Sequence, residues 1–174
     1  KFSFGVMYAN SKYQASPLWL FDLGAEYTLF DTTDTKIPVW SDSIFLKKSE
    51  EFIADLTERY NGNPNIAYID ARNYGNWGEW GAVYITMPPS VDPGDSIKKL
   101  LLDQYSGFDK TPIILPIPGA TQTHGGAGMY PGGVGFYARD QYGFGYRDDS
   151  FDYSPRWGSC ASALNIAPTV AEFI

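Results

Sequence analysis

An amphipathic helix followed almost at once by an apolar strand constrains this chain more than any other feature. Ser41 or Asp42 can cap the helix start by accepting orphan N–H groups. Phe45, Phe52, Ile53, Leu56 and Tyr60 are expected on one face, with Lys47, Lys48, Glu50, Glu51, Asp55 and Glu58 on the solvated other. Asn61-Gly62 stops the helix and Pro64 prevents its resumption. Ile66 to about Arg72 then reads as a strand. A helix that feeds a strand through so short a break is half of a parallel βαβ unit, which places the chain in the α/β class.

The rest of the chain extends that pattern. Lys1 to Ala9 alternates Phe2, Phe4, Val6 and Tyr8 with smaller residues and predicts a strand. Tyr13 to Lys36 is long, lacks a helical period, and is expected to be functional or to carry further structure. Ser96 to Tyr105 predicts a second helix with Ile97, Leu100, Leu101 and Tyr105 as its stripe. Thr111-Pro-Ile-Ile-Leu-Pro-Ile117 is apolar throughout, as a strand buried on both faces should be. Val134 to Asp140 is expected to be a fourth strand, Gln141 to Leu164 mostly loop, and Thr169–Phe173 a fifth strand. A parallel sheet with right-handed crossovers follows, in one domain over residues 1–174. In such sheets ligands bind at the carboxyl ends of the strands.

Composition removes several functions. The formal net charge of −7 and the absence of a basic run argue against a nucleic-acid partner. No stretch approaches the roughly 20 apolar residues of a membrane span. A single cysteine, Cys160, excludes an intrachain disulfide and a Cys-based zinc site, and a single histidine, His124, excludes a His-rich metal site. Asp148, Asp149 and Asp152 read as solvated turns. No phosphate-binding glycine loop, dinucleotide fingerprint or nucleophile elbow occurs. No cofactor is expected.

Aromatic residues make up 17% of the chain, more than a core of this size requires, and such an excess suits a carbohydrate groove. The stretch Ile66 to Gly81 concentrates them. After the strand comes Gly75-Asn-Trp-Gly-Glu-Trp-Gly81, with the carboxyl of Glu79 between Trp77 and Trp80. Apolar surroundings raise a carboxyl pKa towards neutrality, so it can act as a general acid. The alternative is a tight loop whose tryptophans plug the core. Asn10, Asp70, Arg72, Asn73, Arg139, Asp140 and Glu172 are further polar residues at expected strand ends. His124 lies in a glycine-rich loop where it can hydrogen-bond a ligand.

The segment from Arg59 to Trp80, with Pro17-Leu-Trp-Leu, Gly135-Phe-Tyr-Ala-Arg-Asp140 and Pro168-Thr-Val-Ala-Glu172, resembles bacterial (β/α)8-barrel glycoside hydrolases. These are related to the clan of β-galactosidases and cellulases. The resemblance implies a TIM-barrel fold in which Ile66–Arg72 is barrel strand four. Thr111–Ile117 is then five, Val134–Asp140 six and Thr169–Phe173 seven, so that the chain covers strands three to seven. A missing segment or another chain is expected to complete the barrel. Glu79 falls at the acid/base position after strand four and Glu172 at the nucleophile position ending strand seven. The implied reaction is hydrolysis of a poly- or oligosaccharide, retaining in outcome and outside the cell or at its surface. Trp77, Trp80, Trp40 and Tyr137 are candidate stacking surfaces. Asn76, Arg72, Asn73, Arg139 and Asp140 are candidates to bind sugar hydroxyls or to hold Glu172 ionised. The family pattern places Asn before the acid/base Glu; here that residue is Gly78, so either Asn76 substitutes or the role is absent. A non-catalytic carbohydrate-binding or surface-assembly protein on the same fold is the alternative.

Overall fold

A computed structural model describes residues 1–30, 33–80, 93–117, 132–148 and 169–171. Five parallel strands form its main sheet: β1 (Phe2–Gly5), β4 (Ile66–Asp70), β5 (Ile113–Ile117), β6 (Gly145–Asp148) and β7 (Thr169–Ala171). They lie side by side in sequence order, so each crossover advances the sheet in the same direction. Among the described residues β1 and β7 are its edges. The structure is therefore α/β with a parallel sheet.

The helices are α1 (Leu18–Asp22), α2 (Ser43–Tyr60), α3 (Gly94–Asp103) and α4 (Val134–Tyr142). Helix α3 tightens into a 3-10 turn over Gln104–Gly107. The segment Tyr13–Lys36 does hold structure: α1 and the first strand of an antiparallel hairpin, β2 (Tyr27–Leu29) with β3 (Lys36–Pro38). Helix α2 starts where expected, with the Asp42 carboxylate accepting from the Phe45 amide at 2.8 Å. Its buried stripe runs through Phe45, Ser49 and Ile53, with Leu56 and Tyr60 partly buried. Phe52, expected on that stripe, is exposed, because one residue from Ile53 is a 100° turn around the helix. The inward position is taken by Ser49, whose hydroxyl bonds Tyr8 Oη at 3.1 Å and Gln104 Oε1 at 2.6 Å.

At the other end of α2, Gly62 takes φ +76°. Asn61 Oδ1 accepts from the amides of Lys110 and Thr111, at 2.9 and 3.1 Å, and so ties the helix end to the entry of β5.

The expectation that Val134–Asp140 is a strand is corrected: it is α4, and the next strand of the sheet is β6, Gly145–Asp148, within a segment expected to be loop. Val134 and Ala138 are buried one helical turn apart, and Gly143 closes the helix in the left-handed region at φ +69°. A helical period with a glycine stop overrode a local wealth of aromatic residues.

Helix α2 packs on the 3-10 turn and α3 packs on α4, so the three crossover helices form one layer. Asp103 of α3 receives hydrogen bonds from Tyr137 at 2.6 Å and Tyr142 at 2.8 Å, both of α4. The Tyr146 hydroxyl reaches the Gly135 carbonyl of α4 at 3.0 Å, which fixes the face of the sheet that the helices cover. By strand register Leu115, Ile113 and Ile69 share that face. Gly5, Asp70, Ile114, Pro116 and Arg147 share the opposite face, which is helix-free among the described residues.

Burial pushes the hydroxyls of Tyr8 and Tyr146 up to about 12. The unfolded chain releases these protons near the ordinary tyrosine value of 10.0, whereas the folded chain keeps them. Stability is therefore intact below that value and falls as pH rises towards 12. Urea denaturation followed from about pH 9 to about pH 11.5 should show this fall, and Tyr8→Phe should make it shallower.

Candidate functional site

The loop leaving β4 folds back onto the end of β1. Asn76 pairs with Ala9 as an isolated parallel bridge, and the Trp77 amide donates to the Ala9 carbonyl at 2.9 Å. The Asn76 side chain locks this contact: its Oδ1 accepts from the Ser11 amide at 2.9 Å and its Nδ2 donates to Ser11 Oγ at 3.4 Å. Both polar ends of Asn76 are thus committed within the fold. Asn73 is fully buried and donates from Nδ2 to the Leu101 carbonyl of α3 at 2.9 Å, pinning the loop to the helix layer.

Four residues of the Gly75–Trp80 turn have positive φ: Gly75 at 83°, Trp77 at 56°, Gly78 at 68° and Trp80 at 57°. Two of them are tryptophans, for which the left-handed region costs roughly 1–2 kcal/mol each. Turn hydrogen bonds hold the path, from the amides of Gly78, Glu79 and Trp80 to the carbonyls of Gly75, Asn76 and Tyr74 at 3.0, 3.2 and 3.1 Å. The larger compensation is burial. Trp80 is fully enclosed, and its indole Nε1 donates to the Ala71 carbonyl at 2.5 Å. Its ring ends a row of buried aromatics, Tyr8, Phe45, Trp40, Tyr74 and Trp80, with neighbouring centroids 5.1–5.6 Å apart. Trp40 and Trp80 are therefore core residues rather than stacking surfaces. The ammonium of buried Lys98 lies 5.4 Å from the centre of the Tyr74 ring.

Trp77 and Glu79 differ from their neighbours. Both are half-buried, at the carboxyl end of β4. Arg72, also half-buried, grips the Trp77 carbonyl twice, from Nε at 3.1 Å and Nη2 at 2.7 Å. Two glycines make room for it. A Cβ on Gly78 would sit 2.4 Å from the Arg72 carbonyl oxygen and 2.5 Å from its Cβ. A Cβ on Gly5 would sit 2.8 Å from Arg72 Cγ and Cδ. Gly78 therefore cannot be exchanged for the Asn of the family pattern without moving the turn.

Tyr137, Arg139 and Asp140 are corrected most clearly. They lie on α4 in the helix layer, away from the strand ends, because their segment is helical. The Tyr137 hydroxyl is used on Asp103, Arg139 pairs with Asp140 through Nε at 2.6 Å, and its guanidinium stacks on Phe136 at 4.1 Å. Glu172 and His124 lie outside the described residues; Glu172 follows Ala171 of β7 directly in the chain. Asp70 and Arg147 were not expected as partners. Arg147 Nε meets Asp70 Oδ2 at 2.8 Å, across the intervening β5, with both side chains buried on the face opposite the helix layer. The signal in sequence was the pair Tyr146-Arg147 after the Gly143 stop, which marks a short strand with alternating faces. Among the described residues no group of three or more His, Cys, Asp or Glu converges as a metal site. Among them, too, no helix is long and apolar enough to cross a membrane.

Comparison of the chain with protein-family models, with curated proteins and with solved structures finds no match.

Two substitutions test this geometry. Gly78→Ala adds a Cβ against the Arg72 backbone in the left-handed region and should lower the unfolding free energy by about 1–3 kcal/mol in urea titrations. Asp70→Asn sets a neutral amide against a buried guanidinium and should lower it by about 3 kcal/mol or more.

Proposed function

We propose that the five parallel strands are consecutive strands, three to seven, of a (β/α)8-barrel wall, and that the chain acts as a glycoside hydrolase outside the cell or at its surface. The observation that carries this reading is the strand order. A doubly wound sheet reverses direction at a switch point and places helices on both faces. Here β1, β4, β5, β6 and β7 follow one another, with the crossover helices in one layer, as in a barrel wall. Taking β6 in place of Val134–Asp140 leaves two strands between β4 and β7, so the reading still counts Glu79 after strand four and Glu172 after strand seven.

In this reading Glu79, at the carboxyl end of β4, protonates the leaving glycosidic oxygen and then activates water. Glu172, following β7, attacks the anomeric carbon as a carboxylate and forms a glycosyl-enzyme. Strands β4 and β7 are three positions apart, roughly 14 Å on a flat sheet at ~4.8 Å per strand. A retaining mechanism needs the two carboxyl groups about 5–5.5 Å apart. The mechanism thus requires the sheet to curve around its helix-free face, the face that carries Asp70 and Arg147. The half-buried rim of Trp77 is the aromatic surface next to the acid that remains for a sugar ring. Trp40 and Trp80 take no part in binding.

A second reading is favoured by Gly78 and Asn76. The residue before Glu79 has no side chain, and the amide of Asn76 is held by Ser11, so neither is poised to bind a sugar 2-hydroxyl. A carbohydrate-binding or surface-assembly protein without turnover fits that difference from the resembled family.

The experiment is hydrolysis of a broad glycan and aryl-glycoside panel by the wild type, Glu79→Gln and Glu172→Gln. The hydrolase reading expects Glu79→Gln to reduce turnover by about 10²- to 10⁴-fold, and Glu172→Gln to reduce it by orders of magnitude, with far-UV circular dichroism unchanged. Wild-type turnover in either variant removes that residue from the mechanism. Sugar affinity retained by both variants, with no hydrolysis by the wild type, establishes the binding reading instead.

A further inference from the structure

We propose that Arg72 is a positioning residue for Glu79, acting through the carbonyl of Trp77 rather than by touching sugar or Glu172. The proposal rests on the reading of Glu79 as the proton donor. Both hydrogen bonds of the guanidinium converge on one neutral carbonyl, at 3.1 and 2.7 Å. An arginine normally spends such a fork on a carboxylate or phosphate, where two parallel bonds find two oxygens. Here it is spent on backbone, at a tryptophan held in the left-handed region at φ +56°.

The surroundings are shaped for this bond. Gly5 leaves space for the arginine stem, and Gly78 leaves space beside its backbone. The two glycines come from β1 and from the turn itself: Gly5 admits the arginine stem beside the Asp70 carbonyl, and Gly78 admits the Arg72 backbone. Glu79 is two residues beyond the gripped carbonyl, and its amide is held by Asn76 at 3.2 Å. Between the clamp at Trp77 and the buried indole of Trp80, Glu79 has little freedom in where its carboxyl group points. A general acid must reach a leaving oxygen at hydrogen-bond distance, and displacement by about 1 Å can reduce turnover 10²-fold. A lysine in place of Arg72 keeps the charge and most of the stem but loses the two-pronged bond, so it separates geometry from electrostatic effects on Glu79.

The test compares wild type, Arg72→Lys and Glu79→Gln on two kinds of glycoside. One has a sugar leaving group, which needs a proton; the other has a dinitrophenolate leaving group, which departs without one. Arg72→Lys should lower kcat on the sugar glycoside by about 10²-fold, leave KM and the pH limbs in place on that substrate, and spare kcat/KM on the activated glycoside, which reports the first step alone. Glu79→Gln should show the same leaving-group pattern. Equal loss on both substrates, a change confined to KM, or full turnover in Arg72→Lys overturns the proposal. Full turnover in Glu79→Gln overturns the reading beneath it instead. Hydrogen exchange needs no substrate and tests the clamp alone. The amides of Trp77, Gly78, Glu79 and Trp80 should exchange faster in Arg72→Lys while those of α2 stay protected. Wild-type protection at all four sinks the clamp, whatever the catalytic result.

Discussion

The turn that presents Glu79 exists because Trp80 is in the core. Its indole is fully enclosed, hydrogen-bonded to Ala71 and packed on Tyr74 at the end of an aromatic row that starts at Tyr8. Burying an aromatic side chain of this size contributes about 3 kcal/mol or more, against roughly 1–2 kcal/mol for each tryptophan held at positive φ. Burial therefore exceeds the backbone cost at Trp80 itself, and the turn hydrogen bonds and the Arg72 contact add support at Trp77. Glu79, next to the anchor in sequence, is left at the surface by the same path that takes Trp80 inside. The row also joins parts of the chain distant in sequence. Tyr8 follows β1, Trp40 and Phe45 flank the start of α2, and Tyr74 leaves β4.

The sheet divides the molecule's chemistry. One face meets the helix layer through Ile69, Ile113, Leu115 and Tyr146, and it carries the apolar burial. The other holds Asp70 and Arg147, a buried ion pair whose desolvation is offset only if geometry is good, as the 2.8 Å contact is. A charged pair on the face opposite the helix layer, below the strand ends, gives that face a fixed polarity. Tyr137, Arg139 and Asp140 belong to the other side of the division. Their hydrogen bonds and ring contacts are spent within the helix layer.

The parts of the fold legible in sequence were those where one physical signal dominated. Asp42 as a cap, Asn61-Gly62 as a stop and the uniformly apolar Ile113–Ile117 each had no competing pattern. Val134–Tyr142 was misread because aromatic and branched residues suggest a strand, while the deciding signals were the four-residue spacing of Val134 and Ala138 and the glycine at 143. Once that helix is assigned, β6 follows from Gly143, and Arg147 comes with it. At the candidate site, the sequence marked the turn and its carboxylate but not the division of labour among its tryptophans. Trp77 and Trp80 are the same residue type three positions apart, and only the long-range contacts of Tyr74 and Ala71 separate the half-buried one from the buried one. The structural role of Asn76 was equally hidden, since its partner Ser11 is distant in the chain.

Gly5 and Gly78 both lie against Arg72, but it is mainly backbone that closes them. A Cβ at Gly5 would meet the Asp70 carbonyl oxygen at 2.7 Å as well as the Arg72 stem at 2.8 Å, and one at Gly78 would meet the Arg72 carbonyl oxygen at 2.4 Å. Trimming the arginine side chain would therefore reopen neither position. The need for glycine at both is independent of which residue stands at 72, because the path of the main chain imposes it.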